Sequence, residues 1–206
     1  MASVEMRDLG SAELGEAAGV LGRGMRENPI VVRVFGAEPA SRERSLTRFF
    51  RFGLRGLVRQ GTVAAAFRDG RLVGVCGMGR PRERGPGPVE NLAALSAIAL
   101  SHPPGTALRI VRWTGAWARR DPDEPHWHLG PVAVDAGLQG QGIGSVMLEQ
   151  FCARMESERA VGYLETDKPE NVSFYTRFGF TVVGEADILG VPNWFMRRGP
   201  GLPDRR

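Results

Sequence analysis

The stretch Val132-Ala133-Val134-Asp135-Ala136-Gly137-Leu138-Gln139-Gly140-Gln141-Gly142-Ile143-Gly144-Ser145 decides the reading of this chain. It passes from an apolar β-type segment through a turn with glycines at 140, 142 and 144 into an amphipathic pattern. Ile143, Met147, Leu148 and Phe151 share one stripe of a helix expected to reach Met155. Glycines remove the Cβ atoms that hold a ligand away from the backbone. The first N–H groups of a helix lack intrahelical acceptors, and the positive end of its dipole attracts anions. Strand, glycine turn and helix start together predict a phosphate or pyrophosphate site. The plainer alternative is a helix start that uses glycine only for tight packing.

Two familiar phosphate loops fit poorly. A Walker loop needs a lysine in the turn, and none is present. In a dinucleotide fingerprint, Gly140 and Gly142 match but the third place is Ser145, although Glu165 lies where a ribose-binding acid would stand. Such a fingerprint opens a domain, whereas only about 60 residues follow Ser145, too few to complete that sheet.

Downstream, Val161–Thr166 reads as a buried strand. Residues 170–178 read as a short helix closed by Gly179, and 180–188 and 193–198 as two last strands. Upstream, 3–9 reads as a first strand, followed by a helix from an N-cap at Ser11 to about Met25, with Pro29 ending that region. A second helix is expected over 38–60, where Leu46, Phe49, Phe50, Leu54, Leu57 and Val58 fall at helical spacing. A hairpin then turns at Asp69-Gly70. Residues 80–88 form a loop, 89–100 and 106–120 two helices, 121–125 a loop, and Trp127–Val134 a strand.

The chain has 206 residues, 42% hydrophobic and 24% charged, which suits one globular domain over 1–206 and excludes a disordered, fibrous or disulfide-built chain. The longest apolar stretch, 92–100, is too short to span a bilayer, and the N-terminus has no export pattern, so a cytoplasmic protein without a membrane partner is expected. Net charge is +4, and Lys168 is the only lysine among 27 cations. Arg42, Arg44, Arg48, Arg51, Arg55 and Arg59 would share a broad helix face. No nucleic-acid motif accompanies them, so a solvated face is expected rather than a nucleic-acid partner. Cys76 and Cys152 are expected reduced. His126 and His128 share a strand face, but two ligands without a third do not make a metal site, and no metal is expected. Trp113, Trp117, Trp127 and Trp194 could line a substrate pocket, although core packing is their commoner use.

Gln139-x-x-Gly142-x-Gly144 resembles the acetyl-CoA motif of the GNAT N-acetyltransferase superfamily. A second match lies at Leu164-Glu165-Thr166, Asn171, Phe174-Tyr175 and Phe178-Gly179-Phe180, at the family's spacing. Within that family, LETDKPENVSFYTRFGFTVV is similar to puromycin N-acetyltransferase-like members. The firm resemblance covers residues 126–198, about a third of the chain, with a helical insertion over 80–125. It implies a mixed α/β (α+β) fold. Its central sheet has about seven mostly antiparallel strands, helices on both faces, and one parallel pair splayed into a V that takes acetyl-CoA.

By the same resemblance, Val132, Ala133 and Val134 offer backbone groups to the pantetheine amides. Gln139, Gly140, Gln141, Gly142, Ile143, Gly144 and Ser145 hold the pyrophosphate, and Asn171 lies near the thiol end. Tyr175 becomes the candidate acid for the departing thiolate. The amine must lose a proton, and Glu165, His128 and His126 are the candidate bases. Burial would raise Glu165, and histidine titrates near neutrality. Cys152 has no adjacent base, so direct transfer in a ternary complex is expected rather than an acetyl-enzyme. The implied activity is acetyl transfer from acetyl-CoA to a primary amine of a small molecule, by a monomer or homodimer. The alternatives are a protein or peptide acetyltransferase and a non-catalytic acyl-CoA-binding regulatory module.

Overall fold

The computed structural model describes residues 3–81 and 88–200, so part of the loop expected over 80–88 lies outside the described residues. The N-terminal half runs β1 (Glu5–Asp8), α1 (Leu14–Met25), α2 (Pro29–Phe35), α3 (Pro39–Gln60), β2 (Gly61–Arg68) and β3 (Arg71–Gly79). Then come α4 (Pro88–Ser101), α5 (Pro104–Ala118), β4 (His126–Val134), α6 (Ile143–Ser157), β5 (Val161–Thr166), α7 (Pro169–Thr176), β6 (Thr181–Ile188) and β7 (Val191–Arg198).

Three local expectations need correction. Ser11 does not cap the first helix: a short 3-10 turn over Ser11–Glu13 precedes it, and the Gly10 N–H donates to Glu13 Oε2 at 3.0 Å. Pro29 begins a helix instead of ending a region, because at the first helical position its missing N–H costs nothing. Arg42 leaves the solvated arginine face. It is 2% exposed and donates to the main-chain oxygens of Arg26, Gly36 and Ala37 and to the Glu27 carboxylate, binding α3 to the α1–α2 segment. Arg44, Arg48, Arg51, Arg55 and Arg59 do face solvent.

The seven strands lie in the order β1-β2-β3-β4-β5-β7-β6. Among the described residues only β4 and β5 pair in parallel; the other neighbours are antiparallel. Alternating strand residues feed two cores. Val63, Ala65, Val75, Tyr163 and Phe195 pack with α1, α2, α3 and α5 on one face. Ala64, Ala66, Trp127, Leu129, Leu164 and Met196 pack under α6 and Tyr175 of α7 on the other. Trp113 and Trp127 are 3% and 2% exposed, so both serve the core.

The parallel pair is short. His126 faces Val161, Trp127 faces Gly162, and His128 faces Tyr163, where pairing stops. Past that point β4 stays with β3 as far as Val134, and β5 stays with β7 as far as Thr166. A bulge bends β4 at the parting: Cys76 faces Val132 and Met78 faces Leu129, so Gly77 opposes both Gly130 and Pro131. The extra residue turns the strand. The β4 edge that faced β5 is thereby left without a strand partner over Leu129–Val134. Unpaired edge amides need other partners, and a ligand rich in amides can supply them.

Candidate active site

At the wide end of the split, α6 begins at Ile143, with Gly142 as its N-cap. Gly142 has φ +82°, in the left-handed region where a Cβ would be strained. No side chain caps this helix. Ser145 and Val146 donate back to the Gly142 carbonyl at 3.0 and 3.3 Å, and Ile143 and Gly144 provide the free first amides. A Cβ added at Gly140 or Gly142 would meet nothing within 4 Å, so the space before the turn is open. At Gly144 a Cβ would lie 3.6 Å from Phe174 Cζ and 3.9 Å from a Val134 methyl, so α6, β4 and α7 converge here. The Ile143 side chain is 1% exposed and roots the helix start in the core.

The two glutamines of the turn are engaged within the protein. Gln139 Nε2 donates to the carbonyls of Gly24 and Val134 at 3.0 and 3.1 Å. Gln141 Oε1 accepts from Arg68 Nη1 at 2.6 Å. Gln139 therefore braces the turn against α1. The fit needs glycine at position 24, where a Cβ would stand 2.4 Å from the Val134 oxygen.

Tyr175 stands on the α6 side of the sheet, 8% exposed, with ring centroids 5.4 Å from Phe174 and 6.2 Å from Phe180. Burial pushes its phenol well above the usual range, and Cys76, Asp167 and Glu165 act in the same direction. It therefore stays protonated and able to donate. Asn171 Nδ2 donates to Thr166 Oγ1 at 3.2 Å, tying the first turn of α7 to the end of β5. Both thiols are buried, and burial pushes Cys76 up to about 12 and Cys152 up to about 11, so neither is a ready nucleophile.

His128 and Glu165 stand on the opposite face. The Glu165 side chain is 3% exposed, and its Oε2 lies 3.0 Å from His128 Nε2. His128 Nδ1 lies 3.5 Å from Asp121 Oδ1, and His126 Nε2 lies 3.2 Å from the same oxygen. Burial alone would lower His128, but the Glu165 charge and the hydrogen bonds to Asp121 and Glu165 raise it above its ordinary value. Asp121 is also opposed by burial, yet hydrogen bonds from His126 and His128 bring it well below the carboxylate range. Tyr163 packs between the imidazoles at 5.3 and 5.7 Å and anchors its hydroxyl on the Arg120 carbonyl at 2.9 Å.

Sequence reasoning brought forward His128 and Glu165 but missed Asp121 and Asp167. Asp167 Oδ2 accepts from the Ile30 N–H at 2.7 Å and locks the start of α2 to the end of β5. The only hint of Asp121 was an acidic loop running into His126-x-His128. A groove of about 310 Å³ on α3 is lined by Glu43, Arg44, Thr47, Arg48 and Arg51.

A glycine-led helix start, an unpaired strand edge and a buried carboxylate–imidazole pair thus meet at one split. The family model described as "Acetyltransferase (GNAT) family" matches residues 35–180. The chain belongs to the GNAT acetyltransferase family. As a family member it is an acetyl-CoA-dependent acetyltransferase, and the open turn, free amides and bare β4 edge suit that donor. Solved structures share the fold across nearly the whole chain. A histone acetyltransferase HPA2-related acetyltransferase from Corynebacterium glutamicum superposes with TM-score 0.73 at 22% identity, covering 99% of each chain. A polyamine N-acetyltransferase from Drosophila melanogaster gives 0.62 at 15% identity, covering 96% of this chain and 100% of its own. A GNAT family acetyltransferase from Brucella melitensis in complex with acetyl-CoA gives 0.53 at 16% identity, covering 98% and 93%. Among the described residues no helix is long and apolar enough to cross a membrane.

Proposed function

We propose that this GNAT protein acetylates the primary amine of a small molecule by direct attack within a ternary complex. The observation that carries the reading is the placement of Tyr175 on one face of the sheet and the Glu165–His128 pair on the other, at the parting of β4 and β5. Bound acetyl-CoA supplies the activated thioester. The α6 amides and the free β4 edge would orient it, and an unpaired β4 amide would be available to the developing oxyanion.

Glu165 is the proton acceptor. Its carboxylate is buried beside the split and held by His128, whose other nitrogen faces Asp121, 43% exposed. These three groups form a route from the interior to solvent for the proton the ammonium gives up. As the N–C bond forms and the C–S bond breaks, Tyr175 donates to the sulfur and is later reprotonated from solvent. Buried, protonated thiols favour this direct route over an acyl-cysteine.

The Drosophila neighbour, described as a polyamine N-acetyltransferase, and the resemblance to puromycin N-acetyltransferase-like members both fit a small acceptor. A panel of primary amines, with free thiol released from acetyl-CoA as the signal, identifies it. With that acceptor, Tyr175→Phe is expected to lower kcat by about 10²-fold while leaving the acetyl-CoA Kd unchanged. Undiminished turnover would remove Tyr175 as the acid.

A further inference from the structure

His126 and His128 project from the same face of β4, with ring centroids 6.0 Å apart. Each has one nitrogen assigned by its partner. His126 Nδ1 lies 2.8 Å from the Glu124 carbonyl oxygen, which only accepts, so Nδ1 carries the hydrogen. His128 Nε2 lies 3.0 Å from the Glu165 carboxylate, so it also carries a hydrogen. The remaining nitrogens, His126 Nε2 and His128 Nδ1, both approach Asp121 Oδ1, at 3.2 and 3.5 Å. All three atoms lie within 4.8 Å of one another. Two imidazole nitrogens facing one carboxylate oxygen need positive charge between them, as protons or as a metal ion.

The two histidine–aspartate distances suit a metal. Zinc bonds of about 2.0–2.1 Å in tetrahedral geometry separate neighbouring ligand atoms by about 3.3 Å, between the two histidine–aspartate distances. Ligating histidines are also held through their second nitrogen by a carbonyl or carboxylate, as both are here. Two imidazoles and one carboxylate favour Zn²⁺ or Co²⁺ over Mg²⁺ or Ca²⁺. The Asp121 side chain is 43% exposed, which leaves an entry path and a fourth position for water.

We propose that Asp121, His126 and His128 form a binding site for a divalent transition-metal ion, with Zn²⁺ the best fit. Metal binding itself does not depend on the catalytic reading, although His128 and Asp121 belong to both. Its consequence for turnover rests on that reading: an ion there occupies His128 Nδ1 and Asp121, closes the proton exit and slows transfer.

The test titrates Co²⁺ into the full-length, chelator-treated protein and follows visible absorption, with no acetyl transfer involved. The expected result is the intense band of four-coordinate Co²⁺, saturating at one ion per chain and displaced by Zn²⁺. His126→Ala, with its fold checked by circular dichroism, is expected to weaken Co²⁺ binding by at least about 10-fold. Asp121→Asn serves the same purpose should His126→Ala misfold. Anomalous scattering from wild-type crystals grown with Co²⁺ should show a peak between the three side chains. No saturable binding, unchanged affinity in the folded variants, or an anomalous peak elsewhere would each overturn the site. Those outcomes leave the proposed transfer chemistry untouched, and an inactive Tyr175→Phe leaves the metal site untouched.

Discussion

The two ends of the β4–β5 split are built from different materials. At the α6 end the groups facing the opening are main-chain amides around Gly142, Ile143 and Gly144, and the nearby Gln139 and Gln141 turn back into the protein. At the His128 end the groups are ionisable side chains: Asp121 from a loop, His128 from β4 and Glu165 from β5. Fixed dipoles hold a permanent anion without exchanging protons. Side chains can take and release protons, which an incoming ammonium requires. Under the proposed chemistry, material and task divide along the split.

Glu165→Gln is the harshest way to break that division. It keeps the shape but removes the proposed proton acceptor, and kcat is expected to fall by about 10²–10⁴-fold. Acetyl-CoA affinity, measured by calorimetry, should stay unchanged, because the proposed donor cradle lies at the other end. An equal loss in both would merge the two regions into one.

Gly142→Ala probes the main-chain end. The left-handed φ of +82° costs an L-residue about 1–2 kcal/mol. For a chain of this length that corresponds to a Tm lower by about 2–8 °C in scanning calorimetry. A Cβ there touches no other atom within 4 Å, so backbone strain and not collision sets the effect. An unchanged Tm would mean that the turn does not require this conformation.

What could be read from sequence follows the same division. The main-chain cradle is local: glycines at fixed spacing after a strand show in one short window, and Asn171 and Tyr175 sit in a second compact pattern. The side-chain end is not local. Asp121 meets His128 and Glu165 only because the short β4–β5 pairing brings a loop and two distant strands together, and no periodicity marks that. Arg42 shows a related blind spot. Spacing places it on a charged face, but three carbonyls gathered around its guanidinium draw it inside. Pro29 reads from sequence as a stop, and the partner of the next helix, the Asp167 carboxylate, lies far along the chain where no local pattern shows it.

Gln139→Ala sharpens the comparison at the small end of the scale. It removes two hydrogen bonds from an exposed side chain, an expected loss of about 1 kcal/mol in urea unfolding. Because Gln139 braces the turn, acetyl-CoA binding should weaken by less than about tenfold, or 1.4 kcal/mol. A much larger loss would place its amide on the cofactor itself.

The most direct measurement is a crystal structure with coenzyme A bound. The expected map shows the diphosphate within hydrogen-bond reach of the amides of residues 140–145, the pantetheine along the bare edge of β4, and the sulfur beside the Tyr175 hydroxyl. A diphosphate seated elsewhere, such as on the arginines of α3, or a phenol turned away from the sulfur, would contradict the account.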